Sequence, residues 1–497
     1  MYQEETITEY LKRHRGEEVA SFHTPGHKGR SMFCGYGENC KFPNIKDDIT
    51  EIEGADNLFD ANGIILSCMN QYKELYGARN SYILVNGSSA GIMAAITSAV
   101  HEDEEIIIAR NSHKSVLNAV KLCGGIPKYV FPEIDSEFRI PSKINSEELS
   151  RVILETPNAK AVVITSPSYY GICSDIRKIA EITHRAGMIL IVDQAHGAHI
   201  RFMNPEKDAG MSGADIVVMS THKTLASLTQ SAVVNIYSKR IDVDLFEEKL
   251  EMFQTSSPSY LLMQSLELNA RLMREHGQEI FKKWQKNIEE FHEEAGKISG
   301  LKLMLNENSD MTKLLMDMSE IGISGEELDS KLREKGIFTE LYSDNFVLAM
   351  TGIGNSEEDY KNLLIALKEI SEEHKLIGGA RSKETEDVKT KSDHAGDICQ
   401  SGNEKSPLNS TGKINPDMYL FNKKRNQRKI PVRGVKRHYS ECSGKTCFTS
   451  IVPYPPGVPL IASGEEMDSE SLEYAYKLKS SGRKVLGMSS EGIVYCE

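Results

Sequence analysis

Apolar residues fall in short, almost unbroken runs from Tyr82 onward. The runs are Tyr82-Ile83-Leu84-Val85, Ile106-Ile107-Ile108-Ala109, Tyr129-Val130-Phe131 and Ala161-Val162-Val163-Ile164-Thr165. They continue with Met188-Ile189-Leu190-Ile191-Val192-Asp193, Ile216-Val217-Val218-Met219 and Ala232-Val233-Val234-Asn235-Ile236. Between them lie helical stretches, for example through Ile92-Met93-Ala94-Ala95 and over 175–186. Strands without polar alternation, separated by helices, predict an α/β fold whose mostly parallel sheet is buried on both faces.

The flanking segments have other patterns. Residues 1–80 read as an N-terminal arm of short helices and loops. It contains His23-Thr24-Pro25-Gly26-His27-Lys28-Gly29, dense in turn formers and polar tips. Residues 81–257 form the large domain. Residues 258–373 hold one long helix or a helical pair over about 260–291 and then a small α/β unit. Residues 374–413 read as a charged, flexible linker, because 381–413 has almost no core-forming side chains. Residues 414–497 regain strands and form a C-terminal domain. No internal repeat is visible.

A parallel sheet binds its ligands beyond the C-terminal ends of its strands. Ser88, His113, Tyr169, Asp193 and Lys223 all fall just past such ends. Lys223 follows Val217-Val218-Met219-Ser220-Thr221-His222, and burying an unpaired ammonium there is costly. A Schiff base with an aldehyde relieves that cost and makes the lysine catalytic; the plain alternative is a strand end with a solvated lysine. Asp193 closes another apolar strand and either caps the next turn or faces a cation. A protonated pyridine nitrogen at ~3 Å and an effective dielectric of ~20 would be attracted by about 5.5 kcal/mol. That suffices to hold the ring proton near neutral pH.

Asn86-Gly87-Ser88-Ser89-Ala90-Gly91 joins a strand to a helix start and forms an anion site without being a Walker A loop. Ser220 and His222 add donors for a phosphate. His113 offers a flat ring for stacking. Thr255-Ser256-Ser257-Pro258-Ser259 either caps the following helix or donates to the phosphate of a neighbouring subunit.

Composition narrows the function further. The 497-residue chain carries a net charge of −13, with 39% hydrophobic and 26% charged residues. This fits a globular protein of about three domains and argues against a nucleic-acid partner. Nine cysteines without CxxC pairs suit a reducing cytosol and suggest no metal site. The opening Met1-Tyr2-Gln3-Glu4-Glu5 has no secretory pattern, and no run is long enough to span a membrane.

Together, Ser220-x-His222-Lys223, Asp193-x-Ala195-His196, His113-Lys114 and Pro455-Pro456-Gly457-Val458-Pro459 resemble the bacterial ornithine/lysine/arginine decarboxylases. These are fold-type I pyridoxal-phosphate enzymes. The resemblance extends from His23-Thr24-Pro25-Gly26-His27 to the Tyr454-Pro455-Pro456-Gly457 region and looks like the shorter subgroup, without an N-terminal wing domain. Two positions depart from the family pattern: Gln194 stands where an acidic residue is usual, and Gly87-Ser88-Ser89 replaces Gly-Thr-Ser.

The resemblance implies that Lys223 binds pyridoxal 5'-phosphate, that Asp193 pairs with the ring nitrogen and that His113 stacks on the ring. It places Ala195 on the other ring face, with His196 beside it. Ser88, Ser89, Ser220 and His222 would hold the phosphate, with Ser256 from a neighbouring subunit. Glu465 would meet the substrate's distal cation. The implied activity is decarboxylation of a basic amino acid, arginine before lysine or ornithine, by a cytoplasmic homodimer or higher homo-oligomer. A transaminating or carbon–sulfur-cleaving enzyme with the same cofactor, or a silent regulatory homologue, are the competing readings.

Overall fold

The computed structural model describes residues 20–22, 26, 28, 56–389, 420–428, 430 and 433–497. Seven strands make the central sheet: β1 (Asn80–Leu84), β2 (Glu105–Ala109), β3 (Ile126–Val130), β4 (Ala161–Thr165), β5 (Ile189–Asp193), β6 (Ile216–Met219) and β7 (Ala232–Ile236). Their order is β1-β7-β6-β5-β4-β2-β3. β7 runs antiparallel to both of its neighbours, and the other pairs are parallel.

Side chains alternate across the pleat. Ile107, Val162, Leu190, Val192 and Val217 enter one hydrophobic core, while Ile106, Ile108, Val163, Ile191 and Val218 enter another. Both faces are thus covered, which is why these strands show no polar alternation.

The flanking helices include α1 (Ile64–Tyr76), α2 (Gly87–Ala99), α3 (Lys114–Cys123) and α4 (Ile176–Arg185). α2 lies so close to the sheet that a Cβ at Gly91 would come within 2.5 Å of Val234 Cγ2 and 2.8 Å of Leu84 Cδ1. Asp175 caps α4 by accepting a hydrogen bond from Lys178 N–H. The one-turn helix α5 (Thr221–Thr224) follows β6 and carries Lys223. Gly26 from the N-terminal motif donates its N–H to His222 O at 2.5 Å. The neighbouring His23, Thr24, Pro25 and His27 lie outside the described residues.

α6 (Tyr260–Ala295) is a single 36-residue helix, close to the expected span. It leads into a small antiparallel sheet of β8 (Lys302–Leu303), β9 (Lys313–Asp317), β10 (Leu341–Tyr342) and β11 (Phe346–Met350), in the order β8-β9-β11-β10. α7 (Gly325–Glu334) and α8 (Glu357–Lys389) complete this unit.

α8 corrects the expected linker boundary. The chain stays helical through Lys389, well past residue 374. Glu, Lys, Ala and Arg are good helix formers, so loss of apolar periodicity removes a core-facing stripe without ending the helix. Residues 390–413 lie outside the described residues.

The C-terminal part has its own core around Cys447, Ile451, Ile461 and Leu472, with α9 (Ser469–Ser480) capped by Asp468. It meets the large domain at the C-terminal edge of β2. There, Lys114 N–H donates to Gly457 O at 3.0 Å.

Candidate active site

Lys223 and Asp193 approach each other from adjacent parallel strands, β6 and β5. Lys223 Nζ lies 2.9 Å from His196 Nε2. Burial lowers the pKa of this ammonium, and Asp193 and then Glu340 oppose the shift. Asp193 is 4% exposed. Burial raises its pKa, and Lys223 pulls it back down. Among the described residues, one hydrogen bond reaches this carboxylate, from Ala195 N–H at 3.1 Å. A buried carboxylate so sparsely donated to is suited to a further cationic donor. Burial, then Lys223, keep the His196 imidazole neutral.

His113 sits at the N-cap of α3, where its Nδ1 lies 2.8 Å from Ser115 Oγ and 3.3 Å from Ser115 N. Burial pushes its pKa down to about 3, assisted by Lys223 and Lys114. A neutral, immobilised ring is what stacking requires. Gly457 bears on the ring edge: a Cβ there would lie 2.9 Å from His113 Cδ2, and φ is +84°.

The anion-binding side is also assembled. Ser88 and Ser89 occupy the first turn of α2, a 13-residue helix whose N-cap, Asn86, makes no side-chain cap. Ser220 Oγ donates to Ser88 Oγ at 2.9 Å, tying β6 to α2. His222 Nδ1 lies 2.8 Å from Ser231 O, a carbonyl that can only accept, so Nδ1 carries the proton. Exposed helix N–H groups, three hydroxyls and an oriented imidazole form a donor set for a phosphate. With the Lys223–Asp193 pair and the His113 ring, these residues fit pyridoxal phosphate.

Other expected residues fare differently. Ser256 is exposed on the turn before α6, and Ser259 caps that helix by accepting from Leu262 N–H. Glu465 lies deep, 1% exposed. It is buried against Arg110, whose Nε and Nη2 reach its Oε1 and Oε2 at 2.9 and 3.0 Å, and Ala462 N–H donates to Oε2 as well. Both oxygens are engaged, so this carboxylate locks the C-terminal domain onto the end of β2. Gln194 is also structural. Its Nε2 donates to Asp208 Oδ2 at 3.1 Å and its Oε1 accepts from Ala209 N–H at 3.0 Å. An acid here would face Asp208.

Two residues from the small domain escaped the sequence reading. The Tyr169 hydroxyl donates to Glu340 Oε1 at 2.8 Å, and the Tyr169 ring meets the His196 ring edge-on at 5.1 Å. Lys313 is fully buried, 3.8 Å from Asp310 Oδ2, with its stem packed over Gly171. The signal that singled out Lys223, a lysine bordering an apolar run, is repeated at Lys313-Leu314-Leu315-Met316. Glu340 carries no comparable signal.

The fold and this site define a fold-type I pyridoxal-phosphate-dependent enzyme. Ureidoglycine–glyoxylate aminotransferase from Bacillus subtilis shares that fold, with TM-score 0.53 and 16% identity over 63% of this chain and 85% of that one. Lysine decarboxylase LdcF of Francisella novicida superposes further, with TM-score 0.72 and 19% identity over 89% of this chain and 73% of that one.

The chain belongs to the Orn/Lys/Arg decarboxylase family: residues 6–316 match its major domain and residues 422–492 its C-terminal domain. It is 30% identical to the arginine decarboxylase of Bacillus subtilis over 96% of this chain and 94% of that protein. It is a carboxy-lyase for a basic amino acid, and family and fold together imply pyridoxal phosphate as its cofactor. No described helix is long and apolar enough to cross a membrane.

Proposed function

We propose that the protein decarboxylates L-arginine, with lysine and ornithine as weaker substrates, through the Lys223–Asp193 site. The carrying observation is that Lys223 and Asp193 are both buried at strand ends of one sheet and act on each other electrostatically, while Ser220, three residues before Lys223, donates to Ser88 at the start of α2. The preference for arginine rests on similarity to the Bacillus subtilis enzyme. When bound, the cofactor supplies an electron sink for the pair released as the Cα–carboxylate bond breaks.

The chain's own residues do the rest. Lys223 would hold the cofactor through Nζ. Asp193 holds a proton on the ring nitrogen. His113 and Ala195 would help hold the ring. Ser88, Ser89, Ser220 and His222 bind the phosphate with the N–H groups of α2. Lys223 Nζ and His196 Nε2, 2.9 Å apart, hold the proton returned to Cα. The neighbouring copy in a homodimer or larger assembly supplies Ser256, and the enzyme works in the cytoplasm.

A panel of basic amino acids, with amine products identified by mass, tests this reading. Carbon dioxide and the matching amine, fastest from arginine, are expected. A keto acid or no product overturns it.

A further inference from the structure

Three cysteines meet in the core of the C-terminal domain, and the active site uses none of them. Cys442, Cys447 and Cys496 are fully buried free thiols. The antiparallel pairing of β12 (Val435–His438) with β13 (Ile493–Cys496) brings the chain back on itself. A short turn over Tyr439–Glu441 follows β12 and delivers Cys442. Cys447 lies opposite Cys496 in an antiparallel bridge.

Cys442 Sγ lies 3.6 Å from Cys496 Sγ, in contact. A disulfide is about 2.05 Å long, so roughly 1.5 Å of approach closes this gap. Cys447 is engaged elsewhere. Its Sγ donates to Thr449 O at 3.1 Å, its N–H donates to Glu465 O at 2.8 Å, and its O accepts from Gly464 N–H at 2.8 Å. Cys442 Sγ donates to His438 O at 3.2 Å, which leaves its lone pairs for Cys496. Burial, and then the hydrogen bond with Cys496, push the Cys442 thiol up to about 12, so the pair persists as two thiols near neutral pH. Solvent is one residue away. Glu441 and Ser443 flank Cys442, Tyr495 and Glu497 flank Cys496, and all four are exposed. Local opening of this turn admits a molecule the size of water.

We propose that Cys442 and Cys496 form a modification site, a dithiol that hydrogen peroxide oxidises to a disulfide. The thiolate of one cysteine attacks a peroxide oxygen, the O–O bond breaks, and the sulfur becomes a sulfenic acid as hydroxide leaves. The second sulfur attacks the first, the S–O bond breaks, and the second thiol's proton leaves with the oxygen as water. Two thiols and one peroxide give one disulfide and two waters. A thiol reductant reverses the change. The new bond joins positions 54 residues apart and restricts the unfolded chain between them. It thereby steadies the domain that holds Glu465 against Arg110. The inference stands independently of the substrate assigned above.

Peptide mass mapping of the full-length protein after hydrogen peroxide, with the remaining thiols alkylated, tests it. The expected product joins the Cys442 and Cys496 peptides, lighter than their sum by two hydrogens, while Cys447 is alkylated. Dithiothreitol should restore both thiols. The urea midpoint of the peroxide-treated protein should be higher before dithiothreitol than after it. That difference should vanish in Cys442→Ser and persist in Cys447→Ser.

A bond from Cys496 to Cys447 overturns the inference. So does recovery of Cys442 and Cys496 unlinked, whether alkylated or carried on to sulfinic acids. A linked protein whose urea midpoint does not fall on reduction overturns the stabilising role and the inference with it.

Discussion

At the scale of the residue, burial rather than residue type decides what each group does. His113 folds with a pKa near 3 instead of its ordinary 6.5, because burial and two lysines disfavour its cation. The unfolded chain therefore binds more protons than the folded one between those values. Stability from His113 is fully present above about pH 6.5 and is lost as pH falls toward 3. Urea midpoints measured from pH 7 to pH 4 should fall less steeply in His113→Phe than in the unaltered protein; parallel profiles would contradict the assignment. Gln194 tests the same principle with the opposite sign. Its amide serves Asp208 and Ala209 at once. Gln194→Glu should place two carboxylates together in the core and cost roughly 2–4 kcal/mol, read as a lowered denaturation midpoint. The loss should shrink in Gln194→Glu/Asp208→Asn.

At the scale of the element, the site is made by strand ends, and most of it was legible for that reason. Continuous apolar runs located six of the seven central strands almost to the residue. Ser88, His113, Asp193 and Lys223 follow them at once. Glu340 and Lys313 were not legible as site residues, since a linear pattern does not say how the small sheet folds back over the large one. Glu465 was assigned from resemblance, and the sequence held no sign that Arg110, 355 residues away, would claim it. The linker boundary failed because composition reports on burial and helix propensity separately. Gly457 shows a contact between elements with a measurable consequence. Its positive φ and the 2.9 Å approach to His113 leave no room for a Cβ. Gly457→Ala should tilt the His113 ring and weaken cofactor binding roughly tenfold or more, measured by titrating absorbance with pyridoxal phosphate. Unaltered affinity would show that this loop does not support the ring.

At the scale of the whole molecule, three units meet over one cluster of charges, and the Arg110–Glu465 pair fastens the last of them. Arg110 also donates to Pro459 O at 2.8 Å and Leu460 O at 3.2 Å, so its buried guanidinium is well satisfied. Removing one partner strands the other. Glu465→Leu should cost about 3–5 kcal/mol, and Arg110→Met/Glu465→Leu considerably less, both read from thermal or urea unfolding. Equal losses in the two proteins would contradict a buried pair. The central claim is narrower, that Lys223 holds the cofactor at the mouth of the sheet. Borohydride reduction of the holoprotein followed by peptide mass mapping tests it most directly. The account predicts a pyridoxyl-phosphate adduct on the peptide containing Lys223. An adduct on Lys313 or another lysine, or none on a protein saturated with cofactor, would contradict it.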